Sequence, residues 1–142
     1  MKKLLLLLMC FVTMTTFTSC DDKPVSADKL PAKAKTFLNT YFQGIDIISV
    51  IKDNDSYDVN LADGTEVDFK TNGQWKKVDC EGRPVPNGFF PASITTYVTE
   101  HYPMDYIEDI QFEHNRYEVG LGYSVDIDLI FDKNGNYIGS DD

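Results

Sequence analysis

Histidine is almost missing from this chain: His101 and His114 are the only two in 142 residues. A hydrolase that activates a serine or cysteine needs a base beside the nucleophile, most often a histidine. His101 falls in a helical stretch beside Tyr102, and His114 falls in the turn His114-Asn115. There is no Gly-x-Ser-x-Gly elbow either. Cysteine is equally scarce, with only Cys10, Cys20 and Cys80. That excludes a disulfide framework and a metal-type cysteine pair. It leaves Cys80 as a linker thiol or a small, partly buried hydrophobe. Basic residues are outnumbered, 13 against 23 acidic. Such a balance disfavours nucleic acid, whose phosphates require a basic surface, and a peripheral grip on anionic lipid. On these grounds the chain is read as a non-enzyme.

No apolar run reaches the roughly 20 residues that span a bilayer. The longest, residues 4–12, follows Lys2 and Lys3 and is diluted by polar residues from Thr13 onward. This is the order of a secretory signal. Its ending, Phe17-Thr18-Ser19-Cys20, resembles a bacterial lipobox, in which the cysteine is lipidated and becomes the first mature residue. Ordinary signal-peptidase cleavage near the same place is the alternative. Residues 1–19 are therefore read as a signal peptide and Cys20 as the lipidation site. The expected location is the periplasm or outer membrane of a Gram-negative bacterium, with membrane contact only through the lipid. Without Lys2 and Lys3, the remaining 11 basic residues face 23 acidic ones, a net charge of −12 over 123 residues. That length suits one compact domain. The charge suits a soluble body, a basic partner or divalent cations.

What the chain does contain is a repeat at an offset of 60. Leu30-Pro31-Ala32 returns as Phe90-Pro91-Ala92, and Tyr57-Asp58-Val59-Asn60-Leu61 as Tyr117-Glu118-Val119-Gly120-Leu121. Two extra residues then shift the offset to 62, where Phe69-Lys70-Thr71-Asn72-Gly73-Gln74-Trp75 matches Phe131-Asp132-Lys133-Asn134-Gly135-Asn136-Tyr137. Self-similarity on this scale marks a duplicated module. The boundaries expected are a tether at 20–29, a first module at 30–79, a linker at 80–89 and a second module at 90–142.

Within the first module, Ala34, Phe37, Leu38 and Tyr41 share a helical face. Strands follow near 47–52, 57–61, 66–70 and 74–78, punctuated by Asp63-Gly64 and Asn72-Gly73, both strong hairpin dipeptides. The second module repeats the programme, with a helix at about 91–101 and strands near 107–113, 116–121, 124–131 and 136–139. The fold class expected is α+β: two tandem modules, each one helix plus a four-stranded antiparallel sheet. Together they form one continuous sheet with the helices on one face. Alternation puts Tyr57, Val59, Leu61, Val67, Phe69 and Trp75 under the first helix, and Tyr117, Val119, Leu121, Leu129 and Phe131 under the second. The other face is open to water. It carries the candidate partner-binding residues Asp58, Asn60, Glu66, Asp68, Lys76, Glu118 and Asp128.

The helix-opening Leu30-Pro31-Ala32, the strand Tyr57-Asp58-Val59-Asn60-Leu61, the Asp63-Gly64 turn and the Phe69…Asn72-Gly73-Gln74-Trp75 hairpin resemble the PepSY-like family. These are tandem-repeat secreted proteins common in Bacteroidetes. The resemblance spans residues 30–139. The family is similar to the β-lactamase-inhibitor-protein fold, which implies a non-catalytic binding or inhibitory module outside the cytoplasm, acting on a protein or peptide. It does not imply a β-lactamase target. The second module departs from the pattern after Leu121. Gly122-Tyr123-Ser124 and two extra residues replace the Asp-Gly turn, so that hairpin is expected to bulge or extend.

Two further features bear on ligands. Asp126 with Asp128, and Glu66 with Asp68, are spaced to share a strand face. Asp132-Lys133-Asn134-Gly135-Asn136 has the look of a calcium loop, although the bidentate glutamate of an EF-hand is absent. Asp126, Asp128 and Asp132 are thus the metal candidates, and a calcium-responsive envelope protein is the alternative function. No other cofactor is expected. Phe89, Phe90, Tyr102, Tyr106 and Tyr123 lie at loops or strand ends, where they either anchor a partner or seal the junction between modules.

Overall fold

The computed structural model describes residues 22–142. The expected signal at 1–19 and the lipidation candidate Cys20 lie outside the described residues. The elements run β1 (Lys23–Pro24), a 3₁₀ turn (Ala27–Lys29), α1 (Ala32–Tyr41), β2 (Ile47–Lys52), β3 (Ser56–Leu61), β4 (Glu66–Lys70) and β5 (Trp75–Asp79). They continue with α2 (Ala92–His101), β6 (Ile107–Glu113), β7 (Arg116–Leu121), β8 (Asp128–Asp132) and β9 (Tyr137–Asp141). All nine strands form one sheet in chain order, every neighbour antiparallel. This is the α+β class that the alternation predicts.

Both helices begin after a proline, Pro31 and Pro91, which presets the backbone at a helix start. Each buries a narrow stripe, Ala34 and Leu38 in α1, Ile94 and Val98 in α2. These stripes meet a continuous apolar sheet face that includes Val59, Val67, Phe69, Val78, Ile110, Val119, Leu129 and Phe131. The hairpins form where the turn residues predict. Asp63 Oδ1 accepts from the Thr65 N–H, and Asn72 Oδ1 accepts from the Gln74 N–H. His114 and Asn115 both adopt positive φ, 51° and 61°, the geometry of a two-residue hairpin whose twist matches its strands.

The same irregularities recur in both halves. The β2–β3 ladder slips between Ile47 and Ser49, and the β6–β7 ladder between Ile107 and Asp109. The β4–β5 ladder slips between Asp68 and Phe69, and the β8–β9 ladder between Ile130 and Phe131. The Asn-Gly hairpins also do the same job. Gly73 lies against Pro31 at the start of α1, and Gly135 lies against Pro91 and Ser93 at the start of α2. The Ser93 hydroxyl donates to the Gly135 carbonyl.

The halves join through β5 and β6, where Val78 faces Ile110, both fully buried. The connecting segment extends this seam. The Cys80 N–H donates to the Glu108 carbonyl and the Val85 N–H to that of Ile107. Cys80 is a buried free thiol, as its isolation suggests, and burial pushes its pKa up. Phe89 packs on Phe37, Tyr41 and Trp75 of the first half and on Phe90, and Trp75 in turn meets Phe112 and Tyr117 across the seam.

Two expectations require correction. The segment read as a tether is part of the body from Lys23 onward. Lys23 and Pro24 pair with Lys52 and Ile51, the Val25 N–H donates to the Val50 carbonyl, and Val25 and Ala27 pack on the core. A two-residue pairing leaves no period in the sequence, so tertiary contact alone creates it. The eighth strand starts at Asp128 rather than 124, because the residues before it fold into a turn closed by the Ile127 N–H on the Ser124 carbonyl. Asp126 therefore lies in a loop and shares no strand face with Asp128.

Candidate binding face

Neither helix covers the second face of the sheet, and strand register arranges its side chains in rows across the strands. The row nearest the β3–β4 turn runs Ser49, Asn60, Glu66, Asp79, Asp109, Gly120, Asp128, Asp141. Five of these eight residues are carboxylates and none is a cation. The next row runs Ile51, Asp58, Asp68, Lys77, Gln111, Glu118, Ile130, Gly139. At the far end lie Ser56, Lys70, Glu113, Arg116 and Asp132.

The candidates named from the sequence fall on this face, but not as one uniform patch. Glu66 and Asp128 are exposed members of the acidic row, and Asn60, opposite Glu66, donates to the Ser49 hydroxyl at 3.0 Å. Asp58, Asp68 and Glu118 lie in the second row, half-buried. Asp58 accepts from the Ser56 hydroxyl, and Glu118 pairs with Arg116 at 3.4 Å. Lys76 is the extra residue of the β4–β5 bulge and sits at the mixed end, 2.7 Å from Glu113. A depression of about 270 Å³ lies among Ile51, Asp58, Asn60, Glu66 and Asp68.

The sequence reading missed Asp79, Asp109 and Asp141. Asp109 is the centre of the row. Its carboxylate lies over Gly120, in the space that a side chain at 120 would fill. Burial, and then the charge of Asp79 across the seam, push its pKa up to about 6. Asp68 is likewise pushed up to about 6, by burial first and then by Asp58. Two carboxyls on one face thus hold their protons more tightly than ordinary aspartates do. A cation brought to this face offsets the smaller, repulsive part of that shift, which Asp58 and Asp79 cause.

The metal candidates do not converge. Both Asp132 oxygens are engaged within their own turn, accepting from the Asn134 and Asn136 N–H groups and from the Asn136 amide. Those bonds hold its pKa below the usual range. Asp126 sits in the β7–β8 loop. Among the described residues, no three His, Cys, Asp or Glu side chains come together in a way that could hold a metal ion.

Residues 55–139 match the family model described as "Putative beta-lactamase-inhibitor-like, PepSY-like". A solved structure from Bacteroides thetaiotaomicron, described as a "putative calcium-regulated periplasmic protein", is 33% identical. It covers 86% of this chain and 98% of its own, with a TM-score of 0.79. A protein from Bacteroides vulgatus, described as a "putative periplasmic protein of unknown function", is 28% identical over 85% and 99% of the two chains, with a TM-score of 0.80. A second from Bacteroides vulgatus, also described as periplasmic, is 32% identical over 86% and 98%, with a TM-score of 0.78. Among curated proteins, none matches the chain.

Proposed function

Because this chain belongs to the PepSY-like family, we propose that it is a non-catalytic binding or inhibitory module that recognises a basic protein or peptide through its uncovered sheet face. The observation that carries this reading is the row Glu66, Asp79, Asp109, Asp128 and Asp141, which crosses both halves without an intervening cation. Pairing these groups with Lys or Arg lowers their mutual repulsion, steers encounter and sets specificity. Two half-buried carboxyls held near pKa 6 gain most from such a partner. The family description as inhibitor-like supports a binding role over catalysis. The described location of the relatives supports the periplasm, where a lipid on Cys20 would hold the chain at the membrane.

The test is affinity capture from the native envelope, comparing the wild type with a variant carrying Glu66→Gln, Asp79→Asn, Asp109→Asn and Asp128→Asn. The expected result is a partner retained by the wild type at low salt and lost by the variant. Equal capture by both forms overturns the choice of face.

A second reading, a calcium-responsive envelope protein, is favoured by one observation, the description of the 33% identical relative as calcium-regulated. The dispersed carboxylates argue against a preformed site in the described residues. Calorimetric titration with calcium decides: no heat and no shift in melting temperature at millimolar calcium removes this reading.

A further inference from the structure

The β7–β8 connection occupies residues 122–127, two more than the β3–β4 connection at 62–65. The shorter connection keeps Thr65 buried and presents no large apolar side chain. The longer one presents Tyr123, 73% exposed, and Val125, 71% exposed, and on the α2–β6 loop Met104 is 86% exposed. Fold stability does not require apolar side chains placed so far into water.

These two loops are fixed rather than loose. Asp105 Oδ1 accepts from the Tyr106 and Tyr123 N–H groups, and its Oδ2 accepts from the Ser124 N–H, all at 2.9–3.0 Å. The Tyr106 ring fills the space beside Gly122 and meets Tyr123 edge-on, with centroids 5.4 Å apart. The Gly122 N–H donates to the Tyr106 carbonyl, just beyond the Ile107–Leu121 and Asp109–Gly120 pairs, so the two loops lie at the end of the sheet next to the acidic row. The acidic row is thus flanked, between Gly120 and Asp128, by an apolar rim. The two loops contain Asp105 and Asp126 but no Lys or Arg, and Asp128 follows directly.

We propose that this rim is the specificity-determining end of the binding face, and that it takes an aromatic or branched aliphatic side chain next to the Lys or Arg residues that the carboxylate row engages. The occupant is a basic peptide segment of mixed apolar character, by charge complementarity to the row and the flanking Asp126 and Asp128. The inference rests on the binding-face reading given above. Pre-ordering of the loops by Asp105 reduces the entropy lost when a partner docks.

The test uses a random 12-residue peptide library displayed on phage. It is selected in parallel on the wild type, on a Tyr123→Ser/Val125→Ser variant and on an Asp79→Asn/Asp109→Asn/Asp128→Asn variant. The wild type is expected to enrich sequences that join Lys or Arg to an aromatic or aliphatic residue. A peptide so selected should bind the loop variant about tenfold or more weakly, as when a hot-spot contact is removed. Its amide perturbations on the wild type should fall on residues 104–106 and 122–128, a readout that does not depend on how the variant folds. Basic-only consensus sequences, or an apolar preference that the loop variant keeps, overturn the rim while leaving the acidic face standing. A basic preference unchanged on the carboxylate variant overturns the face as well. No enrichment at all overturns both.

Discussion

The carboxylate of Asp109 occupies the place that a side chain at Gly120 would take. A glycine on one strand and an acid on its neighbour thus form a single unit at the middle of the acidic row. Gly120→Ala should drive Asp109 outward into water, at a stability cost of about 1 kcal/mol from overpacking. The Asp109 carboxyl should then titrate closer to an ordinary aspartate than to about 6, as read from its carboxyl-carbon NMR shift. An unchanged titration refutes the arrangement.

Asp68 and Asp109 also set a pH dependence. Their pKa values are raised in the fold to about 6 from 3.8. The native state therefore binds protons more tightly than the unfolded chain, and their favourable contribution is complete below pH 3.8. It is lost as pH rises through about 6. Asp68→Asn and Asp109→Asn should each stabilise the protein at pH 7.5 by about 1 kcal/mol, after allowance for solvent screening. Urea unfolding at pH 4 should show almost no difference from wild type.

Arg83 works in the opposite sense. From the inter-module connection it reaches the β3–β4 turn, donating to Asp63 Oδ2 at 2.6 Å, the Asp63 carbonyl at 2.7 Å and the Thr65 hydroxyl at 3.1 Å. The hydrogen bond from Arg83 is the main reason that Asp63 is held at about 2, against the effect of its burial. That stability is present above pH 3.8 and disappears as pH falls through about 2. Arg83→Ala should cost about 1–2 kcal/mol at pH 7. The gap from wild type should narrow on acidification, as followed by circular dichroism melts.

Much of this architecture is legible in the residues themselves. Asp63-Gly64, Asn72-Gly73 and Asn134-Gly135 announce their hairpins, and Tyr57, Val59 and Leu61 announce which face is buried. What escapes detection depends on register. Asp109 is placed on the open face by the slip at Ile107, which a simple count of alternation passes over. Asp141 lies past Gly139, where the apolar pattern has already stopped, and only pairing with Asp128 keeps it in β9. The rim formed by Tyr106 and Tyr123 requires two loops 17 residues apart in sequence to meet.

The paired Asn-Gly hairpins offer a test of the helix docking. Gly73 has φ 85° and would place a Cβ 2.8 Å from Pro31 Cβ. Gly135 has φ 84° and faces Pro91 and Ser93. Gly73→Ala and Gly135→Ala should each destabilise by about 1–3 kcal/mol, through a strained backbone and a displaced helix start. Thermal melts check the size of the effect. Substitution at Gly64, whose φ is 91° with open space around it, isolates the backbone part alone.

Lys23 is already hydrogen-bonded into the sheet, and only Asp21 and Asp22 stand between it and Cys20. β1 pairs with β2 over two residues, so a pull applied upstream of Lys23 would peel that pairing first and load the sheet at β2 before it reached either helix.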